Sequence, residues 1–143
     1  MKLFDSELRV MQVLWENGDS SAKDIAAALG KQIGWSKTTT YTVIKKCIDK
    51  GAVKRADPGF ICHAEISIDE AREYETDELI SRMYNGSADM LAASLLSSDR
   101  LSKEEIGRLK ELVNKLRYRK KPVRRGSDRR NNISAENNVP KNS

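Results

Sequence analysis

Leu8, Met11, Leu14 and Trp15 recur at helical spacing, which predicts a first helix capped by Asp5 or Ser6 and stopped at Asn17-Gly18. Ser20-Ser21 reads as a short extended link. Ser21 then opens a second helix, with Asp24 at the reciprocal capping-box position, Ile25, Ala26 and Leu29 on the inner face, and Gly30 as its end. After Trp35, Ser36 is the expected N-cap of a third helix over 36–50, stopped by Gly51. Thr40, Val43, Ile44, Cys47 and Ile48 form one continuous stripe along it, and Lys37, Thr38, Tyr41, Thr42, Lys45 and Lys46 fall on the opposite side. The runs Ala52-Val53-Lys54-Arg55 and Phe60-Ile61-Cys62-His63-Ala64 then predict two strands around the turn Asp57-Pro58-Gly59.

Three more helices follow. Ser67 and Glu70 form a capping box for a fourth, which ends near Tyr84 before Asn85-Gly86 and offers Ala71, Tyr74, Leu79, Ile80 and Met83 as apolar positions. A fifth spans roughly 88–96, with Leu91 and Leu95. Ser102 and Glu105 open a sixth, whose Ile106, Leu109, Leu112, Val113 and Leu116 make a clean stripe. Two short helices, a basic third helix and a hairpin are the order of a winged helix-turn-helix. The expected fold is therefore mainly α, with an N-terminal winged helix-turn-helix domain (three helices plus a β-hairpin wing) over 1–68 and a helical dimerisation region over 69–116. A winged helix closes its own core in about 70 residues, so the surplus apolar faces predict burial against a second copy of the chain. The expected dimer positions are Leu79, Met83, Leu91, Leu95, Ile106, Leu109, Leu112, Val113 and Leu116. The alternative is a C-terminal subdomain folded back on the same chain.

Charge sharpens this picture once it is divided along the chain. The net charge of +5 conceals a segment 117–143 with nine Lys/Arg against two Asp/Glu, and a remainder with 17 against 19. Residues 31–55 hold seven basic residues and one acidic, whereas 69–116 hold seven basic and eleven acidic. Positive charge gathered on one internal segment marks a polyanion footprint better than a global isoelectric point does. Periodicity ends at Arg117, and the segment 117–143, rich in Arg, Lys, Asn and Ser, is expected to be a disordered basic tail. No apolar run approaches the ~20 residues of a membrane span, so a soluble, cytoplasmic protein is expected, with no membrane partner. Cys47 and Cys62 lie in apolar patterns without CxxC spacing, which predicts reduced, buried thiols.

The chemistry implied is recognition of double-stranded DNA. A helix entering the major groove needs short polar side chains near its first turns, and Lys37, Thr38, Thr39, Tyr41 and Thr42 supply them. Lys45, Lys46 and Lys50 lie further along and suit phosphates, while Lys54 and Arg55 are the wing's candidates for backbone or minor-groove contact. Two competing readings stand beside this one: the threonines as poor helix formers at a frayed end, and the winged helix as a protein-protein interaction module for an acidic partner. An enzyme is not expected, and no cofactor, metal site or catalytic residue is assigned. The single histidine, His63, has no partner spacing for metal or triad chemistry and reads as a half-buried strand residue; HExxH, CxxC and phosphate-cradling Gly-rich patterns are absent.

Asp5 to Gly18, the Trp35-Ser36…Thr39…Thr42…Ile48…Lys50-Gly51 pattern, and Tyr84-Asn85-Gly86 followed by Leu101-Ser102…Glu104-Glu105-Ile106 resemble the penicillinase-repressor family, BlaI/MecI/CopY, over about residues 3–116. The resemblance implies a dimeric transcriptional repressor whose winged helix binds dyad operators with TACA/TGTA-type halves and whose later helices dimerise. In the family's antibiotic-responsive members a membrane sensor signals and the repressor is cut at an Asn-Phe bond in the fifth helix. The aligned pair here is Ser94-Leu95, and an upstream sensor for this chain stays unidentified. The copper-responsive members carry a C-terminal cysteine cluster, and here no cysteine follows Cys62, so soft thiolate ligands for direct copper sensing are missing. The family's wing often reads Gly-Arg…Tyr; Phe60 and Ala64 stand at those places, which shifts the expected wing contacts to Lys54 and Arg55.

Overall fold

A computed structural model describes residues 1–117; beyond Arg117, the tail expected to be disordered lies outside the described residues. The elements run α1 (Asp5–Asn17), β1 (Ser20–Ser21), α2 (Ala22–Ile33), α3 (Lys37–Asp49), β2 (Val53–Ala56), β3 (Ile61–Ala64), α4 (Ile68–Met83), α5 (Ala88–Leu96) and α6 (Lys103–Arg117). The fold is mainly α with a small antiparallel sheet, and its first part has the helix, helix, helix, hairpin order of a winged helix. Two compact units divide the chain, the first Met1–Thr76 and the second beginning at Asp77, so α4 passes from one to the other.

In the first unit two helix boundaries differ from the sequence expectation. α1 begins with Phe4 as its cap: the Phe4 N–H donates to Glu7 Oε1 at 2.8 Å, so a carboxylate reaching back from the first turn does the work assigned to Asp5 or Ser6. α2 runs through Gly30 to Ile33 and closes at Gly34, whose φ of 74° is left-handed and whose N–H donates to the Gly30 carbonyl at 3.1 Å. A mid-helix glycine costs about 0.5–1 kcal/mol. Ile33, which packs on the core one turn later, offsets that cost. Ser21 caps α2 by accepting from the Asp24 N–H at 3.0 Å.

The link Ser20-Ser21 is a strand. The sheet order is β1-β3-β2, all antiparallel, with Ser20 opposite Cys62 and Lys54 opposite His63. Strand alternation then decides the place of His63. Val53 and Cys62 take the core face, which puts Lys54 and His63 together on the other face, so His63 is exposed rather than half-buried. Its Nδ1 lies 2.7 Å from Asp19 Oδ1.

Val10, Met11, Ile25, Leu29, Ile44, Cys47 and Cys62 are fully enclosed where α1, α2, α3 and the sheet converge. Trp15 closes one edge, its indole N–H donating to the Ile66 carbonyl at 3.0 Å. Both cysteines are free and buried, and burial pushes the Cys47 thiol up to about 12, with the Glu7 carboxylate adding to the rise. Such a thiol is a core side chain, not a nucleophile.

The second unit contains α5 and α6. α6 is capped as the sequence predicts, with Ser102 and Glu105 exchanging bonds at 2.8 and 3.1 Å, and α5 is capped by Ser87, which accepts from the Met90 N–H at 3.3 Å. Both residues of the Ser94-Leu95 pair lie in α5, and the Tyr84 hydroxyl reaches Ser94 Oγ at 3.3 Å. Among the described residues no helix is long and apolar enough to cross a membrane.

Candidate nucleic-acid interface

α3 carries the face of interest. Its Ser36 cap accepts from the Thr39 N–H at 3.1 Å and donates its own hydroxyl to Thr39 Oγ1 at 3.0 Å, a cap that stabilises the first turn against fraying. Thr40, Val43, Ile44 and Cys47 are buried, and Thr40 meets the cost of burial by donating its hydroxyl to the Ser36 carbonyl at 3.1 Å. With that stripe turned inward, geometry forces Lys37, Thr38, Thr42, Lys45 and Lys46 outward, all exposed, with Tyr41 half-buried beside them. Lys37, Thr38, Tyr41, Thr42 and Lys45 line one open concavity.

The hydroxyl bonding pattern says what these threonines can offer. Thr42 donates its proton to the Thr38 carbonyl at 2.9 Å, so it presents a methyl group and an acceptor to a ligand. Thr38 has no side-chain bond among the described residues. Thr39 accepts from Ser36, which leaves its own proton available. A methyl group suits contact with a thymine methyl, and a hydroxyl suits a base edge. Lys45 sits 3.7 Å from Asp49, but both side chains are more than half exposed, and such a pair contributes little and is easily exchanged for a phosphate.

Lys50 is placed differently from the other basic residues. Its Nζ lies 2.6 Å from Glu7 Oε1 and donates to the Lys2 carbonyl at 2.7 Å, with the Phe4 ring centroid 4.7 Å away. The structure thus commits this ammonium to the N-terminal segment, whereas Lys45 and Lys46 are exposed. Sequence reasoning missed this pair because Glu7 and Lys50 are 43 residues apart and nothing local links them. Burial alone would raise the Glu7 carboxyl. The Lys50 bond and charge, with the Phe4 N–H, outweigh it and hold the group below its ordinary 4.5. A depressed carboxyl contributes stability that is present above the unfolded value and lost as pH falls through the folded one. We therefore expect thermal unfolding of the wild type to lose stability between about pH 5 and pH 3 more steeply than that of Glu7→Gln, which will be the less stable at neutral pH.

The wing approaches the same face. Lys54 and Arg55 are exposed on β2. Arg55 packs its guanidinium 3.6 Å from the Phe60 ring centroid, and its Nε–H donates to Asp57 at 3.1 Å. Phe60 in turn meets Tyr41 edge to face, with centroids 5.8 Å apart and rings at 85°. Phe60 is a second residue that sequence reasoning did not assign to the site; its signals were an aromatic side chain beside the turn and its place at a wing position of the family pattern.

In the second unit Leu79, Met83, Leu95, Leu109, Leu112, Val113 and Leu116 are exposed, while Leu91 and Ile106 are half-buried. Val113 and Leu112 are more than half exposed, at 58% and 54%. Among the described residues no cluster of three or more His, Cys, Asp or Glu side chains is placed to hold a metal ion.

Comparison with known proteins adds a lineage to this geometry. A family described as penicillinase repressor matches residues 3–115. The chain is 30% identical over 122 residues to the penicillinase repressor of Bacillus licheniformis, covering 84% of this chain and 95% of that protein. It is 27% identical over 116 residues to the methicillin resistance regulatory protein MecI of Staphylococcus aureus (strain N315), covering 80% and 94%. A solved structure described as the Bacillus licheniformis BlaI monomeric form in complex with the blaP half-operator is 28% identical, covers 49% of this chain and 88% of its own, and superposes with a TM-score of 0.45.

Proposed function

This chain belongs to the penicillinase repressor family, and from that premise we propose that it is a DNA-binding transcriptional repressor that works as a homodimer on a dyad-symmetric operator. The observation that carries the DNA reading is the α3 face, where one capped, core-anchored helix presents Lys37, Thr38, Tyr41, Thr42 and Lys45 around an open concavity. In this reading Lys37, Thr38, Thr39, Tyr41 and Thr42 lie in the major groove, Lys45 and Lys46 meet phosphates, and Lys54 and Arg55 of the wing contact the neighbouring backbone. The winged helix recognises the half-site, and the exposed leucine stripe of the second unit pairs two copies. Bound across a promoter, the dimer blocks polymerase sterically. The chain acts in the cytoplasm, where its operator is.

A mobility-shift titration of the full chain on its own upstream region, beside a shuffled duplex, tests this reading. A retained complex on the first at concentrations that leave the second free supports it. Equal affinity for both would overturn sequence-specific repression and favour a protein-binding role. Binding should be steeply salt-dependent: a dimer making ~6–10 phosphate contacts loses about 10³–10⁵ in affinity between 50 and 200 mM salt. Thr42→Ala is expected to narrow the gap between operator and shuffled duplex, because it removes the methyl and the acceptor that face a base edge. Lys45→Ala is expected to weaken both duplexes alike and reduce the salt slope by about 1. If the two substitutions act identically on both duplexes, the reading face has been misassigned.

A further inference from the structure

Phe60 is held at more points than a wing residue of a simple hairpin needs to be. It follows Gly59 in the turn and has a φ of 50°, a left-handed value that a bulky residue adopts only when its surroundings require it. Its carbonyl accepts from the Ala22 N–H at 2.9 Å, tying it to the start of α2. Its own N–H donates to Asp57 Oδ1 at 3.3 Å, closing the turn. Its ring meets two side chains from different elements, Tyr41 of α3 edge-to-face and the Arg55 guanidinium of β2 at 3.6 Å. Lys37 then sits over Tyr41, 5.9 Å from that ring's centroid. The result is a continuous stack, Arg55–Phe60–Tyr41–Lys37, from the wing onto the concavity of α3.

The stack fixes Arg55 in a particular attitude. A guanidinium has five N–H donors in a planar fork. Here only Nε–H is engaged among the described residues, by Asp57, and the side chain is 46% exposed. The Nη groups are therefore left for a ligand, with the ring and the carboxylate holding the plane in place. A free arginine loses considerable rotamer entropy when it binds, and one already held by a ring and an acid has lost most of it beforehand. A planar fork with two outward N–H groups fits one phosphate in bidentate geometry.

We propose that Phe60 is a positioning residue of the DNA-binding face: it holds the Arg55 guanidinium at a set distance from Tyr41, so that wing and helix meet one duplex together, Arg55 on a backbone phosphate. This rests on the DNA-binding reading and deepens it. Arg55 adds affinity without sequence choice, and Phe60 acts on DNA only through Arg55.

Fluorescence anisotropy of the full chain on its upstream duplex and on a shuffled duplex, over a range of salt, tests the proposal with Arg55→Ala, Phe60→Leu, Phe60→Tyr and the double variant Phe60→Leu/Arg55→Ala. Phe60→Leu keeps apolar volume in the turn but removes the ring, and thermal melting will show that it folds. Arg55→Ala should weaken both duplexes equally and lower the salt slope by about 1. Phe60→Leu should weaken both roughly fivefold, and Phe60→Tyr should restore binding because its ring still faces the cation. In the double variant the Phe60 change should add nothing to the loss from Arg55→Ala. A folded Phe60→Leu with wild-type affinity overturns the proposal, as does a double variant in which the two losses multiply. Neither result touches the DNA-binding reading while the wild type still prefers its own duplex; failure of the wild type to bind any DNA at low salt overturns both.

Discussion

Replacing Lys50 with Met is expected to remove about 3 kcal/mol of folding stability, because it leaves the Glu7 carboxylate buried without its ion-pair partner. Glu7 is only 3% exposed, at the point where α1 meets the end of α3. Its Oε1 takes both the Lys50 ammonium at 2.6 Å and the Phe4 N–H at 2.8 Å. Met fits the same aliphatic path but supplies no charge, so the carboxylate must take up a proton or draw in water. The Lys50 side chain is about a quarter exposed, at 26%, which places the loss at the lower end of the range for a broken buried pair. For a unit of this size the melting temperature should fall by on the order of 15 °C. Glu7→Gln together with Lys50→Met should recover much of the loss, since the amide still accepts from Phe4 and carries no charge. The same variants separate two roles for position 50. If Lys50 gripped phosphate, Lys50→Met would melt normally and bind DNA with a reduced salt slope; a full loss of stability that the double variant rescues assigns it to the fold.

Leu112→Glu is expected to lower operator affinity by about 10²–10⁴-fold while leaving each winged helix folded. In the proposed dimer the second half-site is filled by a tethered copy, whose effective concentration lies far above that of free protein, and this advantage vanishes when the copies separate. Leu112 is 54% exposed on α6, in one stripe with Leu109, Val113 and Leu116, so a glutamate there costs little within a single chain. It costs much in a dry interface, where an unpaired charge has no partner. Sedimentation should show a dimer for the wild type and a monomer for Leu112→Glu, and half-site affinity should be unchanged. A wild type that sediments as a monomer at micromolar concentration, or a Leu112→Glu that binds the full operator normally, overturns the dimer.

Much of the molecule was legible in local pattern. Ser36 with its stripe of Thr40, Val43, Ile44 and Cys47 announces α3 and which way it faces, since a 3.6-residue period allows one solution. The Ser67/Glu70 and Ser102/Glu105 boxes mark the starts of α4 and α6 for the same reason: both partners lie within one turn. Where local rules compete, the sequence misleads. Gly30 has the signature of a stop, yet α2 continues because Ile33 gains the core. Asp5 and Ser6 are both good caps, yet Glu7 reaches back to Phe4 and moves the start. His63 sits in a strand, but only the pairing with Lys54 decides that it faces water.

By itself, then, the sequence determined the order of elements, the inward stripe of α3 and hence its outward face of Lys37, Thr38, Tyr41, Thr42, Lys45 and Lys46, because helix periodicity and capping act over three or four residues. Only the tertiary structure decided that Lys50 belongs to Glu7 and that Arg55 belongs to Phe60 and through it to Tyr41. Those contacts join residues from different elements, and they depend on packing angles that no short-range pattern encodes. The basic helix was readable residue by residue; which of its charges are already paired within the chain was decided by the neighbours that folding brought to them.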